Sequence, residues 1–269
     1  MIKPSRRKKS QQLLWEDYRK LFVNRNNIEK GKSFISNHDA SLKKAYGIYG
    51  VPPSVIAAII GVETRYGKNK GKFPVFDTLA TLAFEKSGRQ AFFREELEAL
   101  ILLSIEEKLP VTELTGSYAG AVGIPQFMPS SWKNYAIDFD QNGETNLITS
   151  SEDAIGSIAN YLFEHGWEKN IPTHSQVTAN VRSEPERYFT SDLRAEFRYK
   201  DLEKNGFKDP QDIISPNLRV SLIDLRLKNR KKIIWLATKN FFVITKYNRS
   251  YKYAAAVLEL AEALEDASR

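Results

Sequence analysis

The sequence predicts a mainly α protein of the α+β class, helical through its first half and at its end, with a small β-rich part in between. Three observations carry this. Apolar residues recur at helical spacing as far as Ile105. β-Branched and aromatic residues then crowd VTANV, RVSLIDL and KKIIWLATKNFFVIT between Ile171 and Asn248. Helical spacing returns in Val257, Leu260, Ala261 and Leu264.

In chain order, Leu14, Tyr18, Leu21 and Phe22 share one face of a first helix, and Phe34, Leu42, Ala45 and Tyr46 suggest a second. Pro52, Pro53 and Ser54 read as a helix start, because proline is tolerated in the first turn and serine can cap. The run from Val55 to Val62 is apolar almost throughout, and a helix apolar all round is normally buried. Gly67 is its stop. Ser87 with Gln90 forms a capping box for a long helix carrying Phe93, Leu97, Leu100, Ile101 and Ile105, closed by Pro110. These stripes are expected in the core.

From Thr115 to Pro129 the texture changes to TGSYAGAVGIPQFMP, whose glycines break any long helix. Such a stretch is either a turn between helices or a place where backbone amides, an amide side chain and aromatic faces meet a ligand. Further on, Lys239 and Asn240 interrupt the last β-like run and are expected to form a hairpin turn. Ser250 opens the closing helix. The chain thus divides into a basic segment 1–14, a helical part 15–50, a core 51–170, a β-rich part 171–246 and a final helix 247–269.

Composition narrows the chemistry. With 40 Lys and Arg against 33 Asp and Glu, the net charge of +7 favours polyanionic partners without choosing among them. The absence of cysteine excludes disulfides, thiolate metal sites and a cysteine nucleophile. His38, His165 and His174 lack the close spacing of a zinc site. No apolar run approaches the roughly 20 residues of a spanning helix, and the basic start MIKPSRRKKS is not followed by the apolar core of an export signal.

Two features carry reactive groups. Glu63 ends the apolar helix, flanked by Thr64, Arg65 and Tyr66. If that last turn opens onto a cleft, desolvation raises the pKa of the carboxyl group, as a general acid near neutral pH requires. Otherwise Glu63 pairs with Arg65 or a distant lysine at a solvated helix end. The second feature is DFDQNGETNLITSSED, in which Asp138, Asp140 and Asn142 hold the first, third and fifth positions of a calcium loop. Gly143 sits at the sharp turn and Glu144 would contribute its backbone carbonyl. The twelfth position is Thr149 where a bidentate glutamate belongs, so Glu152 or Asp153 would have to replace it, unless Asp153 caps the next helix.

The order of motifs resembles the membrane-bound lytic murein transglycosylase B family over roughly residues 15 to 265. GVETRYG (61–67), DTLATLAF (77–84), GSYAGAVGIPQFMPSSW (116–132), the Asp138 loop, DAIGSIANYLFEHGW (153–167) and FFVITKYNRS (241–250) carry the resemblance.

This resemblance implies a lysozyme-like helical core with an inserted EF-hand-like calcium loop at 138–153 and a small β-rich subdomain. It implies an enzyme that cleaves the β-1,4 bond between N-acetylmuramic acid and N-acetylglucosamine in peptidoglycan without water, leaving a 1,6-anhydromuramoyl end. Glu63 matches the single catalytic glutamate, acid first and base second. Ordinary glycosidases need two carboxylates, and Asp77, the nearest in sequence, reads better as a helix cap. Ser117 and Gln126 match polar cleft residues, and Tyr247 and Asn248 match a Tyr-Asn pair that closes the site. Tyr118, Phe127 and Tyr66 either offer faces to sugar rings or belong to the core. Ile124 and Pro125 stand where relatives often carry Tyr-Gly.

The metal set implied is Asp138, Asp140, Asn142, Glu144 and Asp153, holding a structural Ca2+; no cofactor is needed for the chemistry. The partners implied are peptidoglycan glycan strands and cell-wall synthesis or remodelling proteins, with no nucleic acid, and the chain is expected to be a monomer. The substrate puts it in the periplasm or cell envelope. The alternatives are a hydrolytic muramidase on the same scaffold and a non-catalytic peptidoglycan-binding scaffold.

Overall fold

The computed structural model describes residues 13–85, 88–179, 185–190, 192–228 and 231–266. The expected capping residue Ser87 and most of the basic 1–14 segment lie outside the described residues. Two compact units divide the chain, one built from residues 26–164 with the residues after Ala263, the other from residues up to Arg25 together with 165–263.

The 26–164 unit is helical. It contains α2 (Arg25–Asn37), α3 (Asp39–Tyr49), α4 (Pro53–Thr64), α5 (Val75–Phe84), α6 (Gln90–Glu106), α7 (Pro129–Tyr135) and α8 (Ser151–Glu164). α1 (Trp15–Lys20) precedes it in the other unit. Glycine ends α3, because Gly50 takes a left-handed φ of 70° and its N–H returns to Tyr46 O at 2.9 Å. α4 then leaves at 114° to α3. Pro53 begins it, where the missing N–H costs no helical bond. Every residue from Ser54 to Gly61 is buried, so α4 forms the centre of the unit as its apolar sequence requires. Its flanks are α3 and α8, while α5 packs on α6 and α6 packs on α7.

Glu96 on α6 is 3% exposed and accepts both the N–H of Ser130 (2.9 Å) and its hydroxyl (2.8 Å), fixing the start of α7. The α6 stripe is only partly core. Phe93 and Leu100 are buried, but Ile101 and Ile105 face solvent, because α6 presents one narrow face to α5 and α7.

The other unit is built on an antiparallel sheet in the order β3 (His174–Gln176), β8 (Lys232–Thr238), β7 (Arg219–Arg226) and β5 (Phe197–Arg198). β7 and β8 pair from Val220 with Thr238 to Arg226 with Lys232, and Leu227 N–H closes their connection on Lys231 O at 2.9 Å. β4 (Thr178–Ala179) pairs with β6 (Phe207–Lys208), and α9 (Tyr199–Glu203) follows β5 directly. Tyr188, Tyr199, Leu202, Phe207, Val220 and Leu222 form the core beneath the sheet.

Further sequence expectations change here. The one helix expected to carry Phe34, Leu42, Ala45 and Tyr46 is two, α2 and α3, which part at His38, and Tyr46 is exposed. The hairpin expected at Lys239 and Asn240 does not form, because β8 stops at Thr238 and FFVIT continues as α10 (Lys239–Tyr247). The cause is tertiary. Asn240 is fully buried, accepts the N–H of Glu168 and donates to the carbonyls of Glu168 and Ile171, which ties the helix start to the 165–173 segment. In α1, Trp15 and Tyr18 are the buried pair, whereas Leu14 and Leu21 are exposed. α11 (Tyr251–Asp266) closes the chain as the Ser250 start predicts.

Candidate active site

Glu63 sits half-buried in the last turn of α4. The chain leaves the helix through two consecutive left-handed residues, Arg65 (φ 52°) and Tyr66 (φ 59°). Such backbone is uncommon outside glycine, and it is held by Arg65 N–H on Gly61 O at 3.1 Å and Tyr66 N–H on Ile60 O at 3.4 Å. Thr64 is the clamp that sequence reading missed. Fully buried, its hydroxyl lies 3.2 Å from Ile60 O and 3.0 Å from Ile124 O, and its oxygen accepts the N–H of Gly67 at 3.0 Å. The residue beside Glu63 is thereby tied to the glycine-rich segment sixty positions away.

That segment folds back on the loop after α4. β1 (Phe73–Pro74) pairs with β2 (Thr115–Gly116), Phe73 opposite Gly116. Gly71 (φ 93°) lies so close to Gly116 and Ser117 that any side chain there would overlap their backbone. Ser117 Oγ accepts the N–H groups of Ala119 (3.2 Å) and Ala121 (3.0 Å). Both contacts use its oxygen, so its own proton stays available to a ligand acceptor.

Gln126 (φ 55°) donates its amide N–H groups to Lys70 O (3.0 Å) and Gly123 O (2.9 Å). Both neighbours are acceptors, which fixes the orientation of the amide and leaves its carbonyl oxygen as the group it presents. Tyr118 is exposed. Phe127 resolves toward the core, since it is 2% exposed and its ring packs on Tyr161 at 5.5 Å. Tyr66 does so as well: its hydroxyl is buried without a hydrogen-bond partner beside Gly31 and Gly61, and burial raises its pKa. Asp77 is exposed in the first turn of α5, where a carboxylate suits the helix N-terminus, although Pro74 and not Asp77 is the cap. Tyr247 and Asn248 end α10 in the 165–263 unit.

The Asp138 loop braces the same frame. Ile124 N–H donates to Leu147 O at 2.8 Å, and Lys70 Nζ to Ile148 O at 2.7 Å. Within the loop, Asp138 accepts the N–H groups of Asn142 (3.0 Å) and Gly143 (2.8 Å), and Asn142 Oδ1 accepts that of Glu144 (2.9 Å). Desolvation pushes the Asp138 carboxyl up, but these backbone donors together outweigh it and leave the pKa lowered. Asp153 is fully buried on α8 and receives Phe139 N–H at 2.8 Å and Asn146 N–H at 2.8 Å, and its pKa is raised chiefly by burial.

Carboxylate oxygens of Asp138, Asp140 and Asp153 lie within 4.8 Å of one another. Hard oxygen ligands at that separation suit calcium. Asp153, fifteen positions after Asp138, is the carboxylate that the fold brings beside Asp138 and Asp140. Glu144 is exposed, and its side chain is outside the cluster.

A carboxylate at the end of a buried central helix, framed by a glycine-rich loop and braced by an EF-hand-like loop, defines a lysozyme-like scaffold. The chain belongs to the transglycosylase SLT domain family, whose model matches residues 1–262. It is 38% identical over 250 residues to membrane-bound lytic murein transglycosylase B of Escherichia coli K12, covering 93% of this chain and 67% of that protein. The crystal structure of the soluble lytic transglycosylase SltB1 from Pseudomonas aeruginosa superposes with a TM-score of 0.89 at 38% identity, covering 99% of this chain and 86% of that one. The Escherichia coli lytic transglycosylase Slt35 in complex with calcium gives 0.86 at 37% identity, over 94% and 78% of the two chains.

Proposed function

We propose that the chain is a lytic transglycosylase that cleaves the β-1,4 bond between N-acetylmuramic acid and N-acetylglucosamine in peptidoglycan. The observation that carries the reading is the family match over nearly the whole chain, joined to a carboxylate at the end of the buried helix α4.

Glu63 begins protonated and gives its proton to the glycosidic oxygen as the C1–O4 bond breaks. Its carboxylate then takes the proton of the muramoyl C6 hydroxyl while that oxygen bonds to C1. The acid is regenerated, no water enters, and the product carries a 1,6-anhydro ring. Reuse of one group in both half-reactions removes the need for a second carboxylate. The substrate's own N-acetyl group stabilises the positive charge at C1.

Ser117, donating its hydroxyl proton, and Gln126, accepting at its carbonyl oxygen, orient the N-acetyl groups and the ring. Tyr118 offers an exposed aromatic face. Tyr247 and Asn248 are assigned to substrate contact by the sequence motif they match. Asp138, Asp140 and Asp153, with Asn142 and the Glu144 carbonyl, would hold a structural calcium ion, which would stiffen the frame behind Ile124. The substrate places the enzyme in the periplasm or cell envelope.

The test is digestion of purified peptidoglycan by the wild type and Glu63→Gln, with muropeptides weighed before and after borohydride reduction. Non-reducible products lighter by one water, made only by the wild type, are expected. Reducible products would instead make the protein a hydrolytic muramidase.

A further inference from the structure

Arg65 and Tyr66 leave α4 in left-handed backbone, so the helix stops one residue after Glu63. Thr64 is what ties that last turn to the rest of the site. Of its two carbonyl neighbours, Ile124 O at 3.0 Å is the nearer and lies outside the helix, while the hydroxyl oxygen accepts Gly67 N–H at 3.0 Å. Ile124 is itself anchored, since its N–H donates to Leu147 O at 2.8 Å in the Asp138 loop. A second line of hydrogen bonds leaves the next loop residue: Ile148 O accepts Lys70 Nζ at 2.7 Å, and Lys70 O accepts the Gln126 amide at 3.0 Å. Two adjacent carbonyls thus start two separate lines, one ending beside the acid and the other on a polar residue of the cleft. Their origin is fixed, because Asn146 N–H donates to Asp153 Oδ2 at 2.8 Å and Asp153 is fully buried.

We infer that Thr64 and Lys70 are positioning residues: Thr64 sets Glu63, and Lys70 sets Gln126, each against the Leu147–Ile148 backbone. The assignment rests on the transglycosylase reading. That chemistry gives Thr64 the stricter task, since one carboxyl group has to reach the glycosidic oxygen and then the C6 hydroxyl. Misplacing a reacting group by about 1 Å costs on the order of a hundredfold in rate. Valine would fill the same space in an apolar helix, so what threonine adds is its oxygen, with one proton to donate and lone pairs to accept. Lys70 acts on binding instead, because Gln126 presents an amide carbonyl to the sugar and moves no proton.

The two lines predict different kinetic signatures on soluble glycan fragments. Thr64→Val should lower kcat about tenfold with KM unchanged within about twofold, and Thr64→Ser, which keeps the oxygen, should restore most of the rate. Lys70→Met should raise KM about fivefold with little change in kcat. Glu96→Gln loosens the start of α7 without touching either line, so it controls for lost stability and should leave both constants as in the wild type. All are measured well below each variant's melting temperature. Wild-type kcat in Thr64→Val, or a serine variant no better than the valine one, would overturn the role of Thr64. An unchanged KM in Lys70→Met would overturn that of Lys70.

Amide hydrogen exchange reads the Thr64 contacts without any cleavage. The Gly67 amide should be protected in the wild type and in Thr64→Ser, and should exchange about tenfold faster in Thr64→Val. An unprotected Gly67 amide in the wild type would overturn the inference, and that measurement stands even if the valine variant fails to fold. Failure of the transglycosylase reading looks different, because the wild type would then make no anhydromuramoyl products while the exchange pattern stayed as described.

Discussion

Three glycines inside helices should respond to the same substitution with opposite signs. Gly31, Gly47 and Gly61 lie within α2, α3 and α4. Replacing a helix-interior glycine by alanine gains about 1 kcal/mol through reduced backbone entropy in the unfolded chain. At Gly47 the new methyl meets nothing within 4 Å, so the whole gain should appear. At Gly61 it would stand 2.6 Å from Tyr66 Oη and 2.7 Å from Cζ, and at Gly31 it would overlap Tyr66 Oη and stand 2.5 Å from Leu264 Cδ2.

Because both helices press on the one phenol, the ring cannot retreat from either methyl without approaching the other helix. Overpacking of this kind costs about 1–3 kcal/mol. Set against the propensity gain, Gly61→Ala should destabilise by about 1 kcal/mol and Gly31→Ala by about 2 kcal/mol. Tyr66→Phe removes a buried hydroxyl that has no partner and should stabilise by about 1 kcal/mol. It should also soften the Gly61→Ala penalty in the double variant, since the contact with Oη disappears. Denaturant midpoints and thermal scans read these changes, with about 2–4 °C in Tm per kcal/mol for a chain of this size. If all three alanine variants moved in the same direction, the wedge would not exist as described.

Glu63→Gln, besides losing cleavage, should leave the melting temperature nearly unchanged, because the amide matches the carboxyl in shape but cannot carry the proton. Calcium should raise Tm in the wild type, by about 2.7 kcal/mol of stabilisation at a hundredfold excess over its Kd, and Asp138→Ala should abolish the response with modest loss of activity. An identical melting curve with and without calcium would remove the metal. His174 is buried against Trp235 at 3.9 Å, and desolvation lowers its pKa from 6.5 to about 4. The folded state therefore resists a proton that the unfolded state takes up. The stability this gives is present above pH 6.5 and lost as pH falls from there to about 4, amounting to about 3 kcal/mol, reduced where Glu262, 3.4 Å away, helps bear the charge. His174→Phe should flatten that part of the stability profile, and an unaltered slope would assign the pH response to other groups.

The sequence by itself determined the helices whose signal is local. The Pro53 start, the apolar run of α4 and the carboxylate closing it follow from residue types within one segment. The Asp-x-Asp-x-Asn-Gly spacing likewise marked the loop, and the structure shows its side chains turned back onto their own amides. Motif order by itself identifies the family.

Tertiary structure decided whatever depends on a distant partner. FFVIT has the composition of a strand, yet it is helical where buried Asn240 binds the 168–171 backbone. Phe127 and Tyr66 look alike in sequence as exposed aromatics or core, and packing buried Phe127 and set the Tyr66 hydroxyl against Gly31 and Gly61. Thr64, Glu96 and Gly71 carried no signal because each acts through a contact formed only on folding, with Ile124, Ser130 and Gly116 in turn. Local propensity is worth tenths of a kcal/mol per residue, whereas an unpaired buried polar group costs about 1–3 kcal/mol. Where the two disagreed, the long-range contact prevailed.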